Sequence, residues 1–289
     1  MYGPLPARDP VFSRPLQPRV HPAGAGGRLR QFRHDAFDRG MSPLLVVDHV
    51  QSAGPEMEPL PHAGLSVATL LFEHAQGEIE SVDSAGARHC IRPGDLHWTL
   101  AGRGVVRQAR ARGESLSLDA LQILVNSPSD LKQQPPASFH LAAAKVPLIA
   151  LPGSRLRLLA GQLGAVRSPL VLPQPLLILD GRVDAGATVA LPLPAGWNAW
   201  VYALSGELAL EADGAGTRAL PATTAVTAGA HLADVQLRIR GVGTRSHLVV
   251  VAGAAINEPL VQHGPFVMNT RQEVMRVVQD YEAGRLGRL

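Results

Sequence analysis

The chain has 289 residues, 46% of them apolar and 18% charged, with a formal charge of +3. This balance excludes an intrinsically disordered chain and allows one large or two ordinary domains with real cores. Twenty-nine glycines and 24 prolines beside 4% aromatics point to short strands joined by tight turns, with a core of Val, Leu, Ile and Ala.

The first residues, MYGPLPARDP, lack a basic start followed by an apolar run, which argues against a secretory leader. The apolar stretches are short and broken by Gly, Pro or charge, so no membrane span is expected. Residues 1–39 read as an N-terminal segment contributing edge strands. Arginines cluster at 28–33 and 103–112. Without a basic stripe or stacking aromatics they read as solvated surface, and direct nucleic-acid binding is not expected. The single cysteine, Cys90, cannot form an internal disulfide and suits a reducing compartment, so the expected location is the cytoplasm.

Residues 40–134 read as a first β-domain. Leu65–Phe72 is a β-rich run, Glu73–Gly77 a loop and Ile79–Val82 a strand. Asp83-Ser84-Ala85-Gly86 and Pro93-Gly94-Asp95 are turns, and Leu121–Val125 is a further strand. Pro128–Pro136 resembles a linker. Residues 135–289 repeat the cadence, with strand candidates at 176–179, 188–191, 199–204, 207–211, 235–239 and 247–251. Turn signals every 8–12 residues or so are the mark of a sandwich or barrel. The C-terminus differs. Thr270-Arg271-Gln272-Glu273 fits a capping box, and Val274, Val277, Val278 and Tyr281 form one apolar stripe. Gly284 is placed to stop the helix, which is predicted over 270–284.

Several ordered motifs give a resemblance. Glu258–Thr270 and Asp280–Gly284 resemble the C-terminal signature of pirins. Asp83–Gly86, Pro93–Asp95, Trp98, Ala101–Val106 and Leu121–Asn126 resemble the family's first cupin domain, with Leu124 in place of Trp. Trp200–Glu207 resembles the second. The resemblance runs from about Gly40 to Gly287. It implies an all-β bicupin: two cupin-type antiparallel β-sandwich barrels with a C-terminal α-helix. It also implies one metal, commonly iron, held in the N-terminal barrel by a His-Pro-His pair and a His-X-Glu pair. Some members oxidise flavonols such as quercetin, and others act as transcriptional cofactors.

At the first pair this chain has Leu60-Pro61-His62, and at the second Arg107-Gln108-Ala109. Only His62 survives as a family metal position. One imidazole cannot hold iron usefully, and an arginine in the cavity repels a cation. No cofactor is therefore expected, unless iron or another divalent metal is held by a site rebuilt from His62, His97 and His89. Scattered histidines are more often structural, and Glu78 with Glu80 reads as a solvated strand face. Cys90 beside His89 reads as an inert thiol, because neighbours on a strand point to opposite faces.

The reading is a pirin-like small-molecule-binding or regulatory protein. Its ligand pocket is formed by His62, Arg107, Leu60, Ala109, Trp98 and Gln122, and would take a small anionic or aromatic ligand. Arg107 either binds that anion or pairs with an acid such as Asp119. The alternatives are a metal-dependent quercetin 2,3-dioxygenase with a rearranged site, and a transcriptional cofactor that meets a protein partner through its surface.

Overall fold

The computed structural model describes residues 12–23, 26–38, 40–52, 58–213, 215–230 and 233–289. The first eleven residues, where a leader was sought, lie outside them. In the first half the strands are β1 (Arg19–Pro22), β2 (Arg28–Arg33), β3 (Leu44–Ser52), β4 (Leu60–His62), β5 (Leu65–Leu71), β6 (Gln76–Asp83), β7 (Arg88–Ile91), β8 (Leu96–Leu100) and β9 (Val105–Asn126). A one-turn helix, α1 (Ser129–Lys132), leads to β10 (Ala137–Leu141).

The second half holds β11 (Leu148–Leu151), β12 (Ser154–Ala160), a small hairpin β13 (Gln162–Leu163) and β14 (Val166–Arg167), β15 (Leu176–Val183) and β16 (Thr188–Leu193). Then come β17 (Trp197–Ala212), β18 (Gly216–Leu220), β19 (Ala225–Ala230), β20 (Val235–Ala254) and the hairpin β21 (Val261–His263) and β22 (Phe266–Met268). The chain's main helix, α2 (Arg271–Glu282), follows. Among the described residues no helix is long and apolar enough to cross a membrane.

Two sheets dominate, and the pairings between their strands are antiparallel. In the first, β1-β2-β3-β9-β5-β8-β10 form one layer. The long β9 bends across to a second layer, where its residues 105–112 pair with β4 and β6, and β6 pairs with the outer strand β7. Each layer keeps open edges, so the arrangement is a sandwich and not a closed barrel. The second sheet is built likewise, with β17 and β20 running through both layers.

The segment read as a linker does not end the first sheet. It contains α1, and β10 beyond it pairs with β8 along the sheet's edge. The N-terminal segment supplies the edge strands β1 and β2, and also bridges β19 of the second sheet at Phe12 and Leu16.

Strand alternation sorts the apolar residues into two kinds of core. One face of each sheet lines its own interior. For the second half this is a largely aliphatic cluster around Leu158, Val201, Leu210 and Val250, plugged by Phe12. The other faces meet in a shared core where Phe32, Trp98, Ile123, Trp200, Tyr202 and Val249 pack together. Helix α2 starts with the expected capping box and buries Val274 and Val277, which pack with Phe266 and Val106.

Candidate functional site

The interior of the first sandwich is more polar than that of the second. Leu71, Ile79, Ile91, Ala109, Leu118 and Ala120 form its apolar wall. Period-two alternation then aims Thr69 of β5, Ser81 and Asp83 of β6, His89 of β7, His97 and Thr99 of β8 and Arg107 of β9 toward the same gap. Hydrogen bonds bear this out: Arg107 Nε donates to Ser81 Oγ at 3.2 Å, and its Nη2 donates to Thr69 Oγ1 at 3.0 Å.

Arg107 is only 4% exposed. Burial lowers its pKa to about 10, with the charge of Asp83 opposing the shift, so the guanidinium stays cationic at neutral pH. Among the described residues no carboxylate lies within 4 Å of it. Asp83 is engaged elsewhere, accepting from the backbone N–H groups of Ala85 and Ala87 and from the Ser138 hydroxyl. Asp119, considered from sequence as the partner of Arg107, sits on the other limb of β9. It accepts instead from His49 at 2.7 Å, Gln51 at 2.7 Å and His74 at 3.1 Å. The bend of β9 separates the two residues into different layers.

His62 is buried beside Arg107. Burial, and then the charge of Arg107, lower its pKa to about 4, and its Nδ1 has no hydrogen-bond partner. Leu60 faces Arg107 across the β4–β9 ladder but is 43% exposed. The four positions that the resemblance aligns with the family metal pairs thus carry one imidazole, one guanidinium and two aliphatic side chains.

A small apolar cavity of about 50 Å³ opens into this interior, lined by Val50, Thr69, Ile79, Ala109, Leu118 and Gln122 among others. Of the six residues predicted to form a pocket, Ala109 and Gln122 line it. Arg107 reaches it indirectly, through Thr69. Trp98 does not belong there: its ring lies in the shared core against the second half. The reason is the alternation itself, since His97 takes the inward face of β8 and its neighbour must take the outward one.

The structure also gathers three histidines, of which His89 and His97 are in the set named from sequence and His140 is not. His89, His97 and His140 each offer a ring nitrogen, and the three lie within 4.8 Å of one another. His62 is not part of this group. His140 comes from β10, beyond the supposed linker, and stands directly opposite His97 in the β8–β10 register. Burial, followed by the charge of Arg107, pulls the pKa of His97 down to about 3, and burial also lowers that of His89.

Cys90 points away from this group. Burial and a hydrogen bond with Glu78 push its thiol up to about 11, so it carries little thiolate at neutral pH. Glu80 pairs with Arg88 and Arg112, both at 2.6 Å, on an outer strand face.

The profile described as "Pirin" matches residues 24–125, and that described as "Pirin C-terminal cupin domain" matches residues 178–287. Pirin of Homo sapiens is 30% identical over 270 residues, covering 93% of this chain and 91% of that protein. A pirin-like protein of Solanum lycopersicum is 30% identical over 284 residues, covering 96% and 95%. Among solved structures, quercetin 2,3-dioxygenase from Acinetobacter baumannii superposes with a TM-score of 0.82 at 27% identity, covering 95% of this chain and 98% of that one. With both halves of the chain matched in order and their sheets arranged alike, this chain belongs to the pirin family.

Proposed function

We propose that this pirin-family chain binds a small anion inside its N-terminal sandwich, and that the family's metal is not held at the corresponding positions. The observation that carries the reading is Arg107, a buried cation whose bonded neighbours are the neutral hydroxyls of Ser81 and Thr69. A guanidinium has five N–H donors, and two are used here. A buried charge without a counter-charge is costly, and a carboxylate or similar anion offsets that cost through charge-assisted hydrogen bonds. Thr69 belongs both to the cavity lining and to the Arg107 bond, so it couples an occupant of the cavity to the cation.

The donor set does not fit the family's metal. Leu60 and Ala109 offer no donor, and Arg107 places a positive charge where a cation would sit. No step of a metal-dependent oxygenation is therefore assigned to these residues. Size points the same way: the cavity measures about 50 Å³, whereas sites for drug-sized aromatic molecules usually span about 300–1,000 Å³. The likeness to a quercetin 2,3-dioxygenase supports the fold and the ancestry of the site, and fold alone does not carry activity. A regulatory or sensing role in the cytoplasm, exercised through a protein partner, is consistent with a ligand-binding site that performs no chemistry.

The test is a thermal-shift and calorimetric titration with sodium formate, acetate and nitrate at constant ionic strength, on wild type and Arg107→Gln. Wild type is expected to gain stability at millimolar anion, and Arg107→Gln to show no such gain. An equal response in both proteins removes the anion site. Consumption of quercetin by wild type supplied with ferrous iron overturns the non-dioxygenase reading.

A further inference from the structure

We infer that His89, His97 and His140 form a binding site for one divalent first-row transition ion, with Zn²⁺ as its reference occupant, at the open edge of the N-terminal sandwich. The site is separate from the family positions at Leu60, His62, Arg107 and Ala109.

Its geometry follows from the topology. His89 lies on β7, the outer strand of one layer, while His97 and His140 lie on β8 and on the edge strand β10 of the other. The rings crowd together, with centroids 4.7 Å apart for His89 and His97, 5.6 Å for His89 and His140, and 5.8 Å for His97 and His140. Ligand nitrogens about 2.0–2.1 Å from a tetrahedral Zn²⁺ stand about 3.3 Å apart, so the present spread of at most 4.8 Å closes by small side-chain rotations.

The unpaired atoms point to a ligand. His97 is 1% exposed, yet its Nδ1 has no hydrogen-bond partner, and the same holds for the buried Nδ1 of His140. The opposite nitrogens are the ones with neighbours. His140 Nε2 lies 3.3 Å from Asp95 Oδ2, and His97 Nε2 lies 3.4 Å from Thr99 Oγ1. A carboxylate on one ring nitrogen that leaves the other free is the usual arrangement around a metal-bound histidine. Asp95 is itself fixed by the N–H groups of Arg92 and Ala143. Asp83, whose charge acts on both Arg107 and His89, and Asp95 supply two negative charges against the one of Arg107. His89 and His140 are partly exposed, which gives the ion a way in. Three imidazoles with a fourth position left to solvent suit Zn²⁺, Co²⁺ or Ni²⁺.

The test uses tag-free full-length protein freed of metal by dialysis against chelator, titrated with Zn²⁺ by calorimetry and with Co²⁺ by visible spectroscopy. One ion per chain is expected, with a rise in melting temperature and a Co²⁺ d–d spectrum of low coordination number. His89→Gln and His140→Gln, both at partly exposed positions, should each weaken Zn²⁺ by at least about 100-fold, and Asp95→Asn by about 10-fold. The exposed control His263→Gln should bind as wild type. Arg107→Gln should also keep one Zn²⁺ per chain, so the anion proposal and this one fail independently. Absence of binding to folded wild type at 1 mM (about a thousand times a micromolar constant), or binding unchanged in both His→Gln variants, overturns the inference.

Discussion

Because His62 is 5% exposed beside Arg107, taking up a proton there would set two cations together away from solvent. Its folded pKa of about 4 lies below the ordinary histidine value of 6.5. Between those values the unfolded chain binds more protons, so this residue's contribution to stability is complete above pH 6.5 and is lost as pH falls toward 4. At pH 5 the loss is about 2 kcal/mol. Urea denaturation at pH 7 and pH 5 should show a loss larger than this in wild type, because His97 and His89 add to it, and His62→Gln should reduce it by about 2 kcal/mol. An unchanged pH dependence in the variant would mean that His62 is solvated in the folded state. Leu60, Arg107 and Ala109 were legible in the sequence as the residues that the resemblance aligns with metal ligands, and in the structure Arg107 lies buried beside His62. Trp98 was misplaced because a motif names a residue without naming its face. His140 was missed because a linker rich in proline hid the return of the chain to the same sheet.

At the scale of elements, the turn cadence revealed that the protein is all-β but divided its longest strands. Residues 199–204 and 207–211 read as two strands and belong to one, β17; residues 235–239 and 247–251 likewise belong to β20. The glycine between the first pair is a bend and not a turn. Gly206 has φ +72° and coincides with the register shifts in β17, a bulge that carries the strand from one layer into the other. A Cβ at this position would run into Ser246 on β20. Gly206→Ala therefore combines a strained backbone with a clash, and is expected to cost about 2–4 kcal/mol. Gly86→Ala is the control for backbone strain alone, since its φ is +94° and a Cβ there meets nothing within 4 Å. Chemical denaturation should show the larger loss for Gly206→Ala; equal losses would mean that β20 gives way without cost.

For the whole molecule, the shared core decides whether the halves can be independent. Trp98, Phe32 and Ile123 from the first half lie in the same cluster as Trp200, Tyr202 and Val249 from the second, and separating them would expose the largest side chains of the fold. Polar ties cross the same junction. His49 Nδ1 meets the Tyr202 hydroxyl at 2.8 Å. Arg157, 2% exposed, reaches the carbonyl of Gly94 and lies 3.4 Å from Glu73, while its Nη1 is 3.1 Å from Asp180 Oδ2. Asp180 also takes His247 Nε2 at 2.6 Å. Burial would raise this carboxyl, but His247 and Arg157 hold it below the usual carboxylate range. In Asp180→Asn the guanidinium of Arg157 loses its buried counter-charge, a change expected to cost about 3–5 kcal/mol. Asp180 lies on β15 in the second sheet, so the location of the damage is informative. Native-state hydrogen exchange should show β5 and β15 losing protection together in this variant, because Arg157 and the shared core join both halves into one cooperative unit. Lost protection confined to β15, with β5 unchanged, would mean that the N-terminal sandwich holds its shape without the second half. Its polar interior could then be studied as an isolated domain.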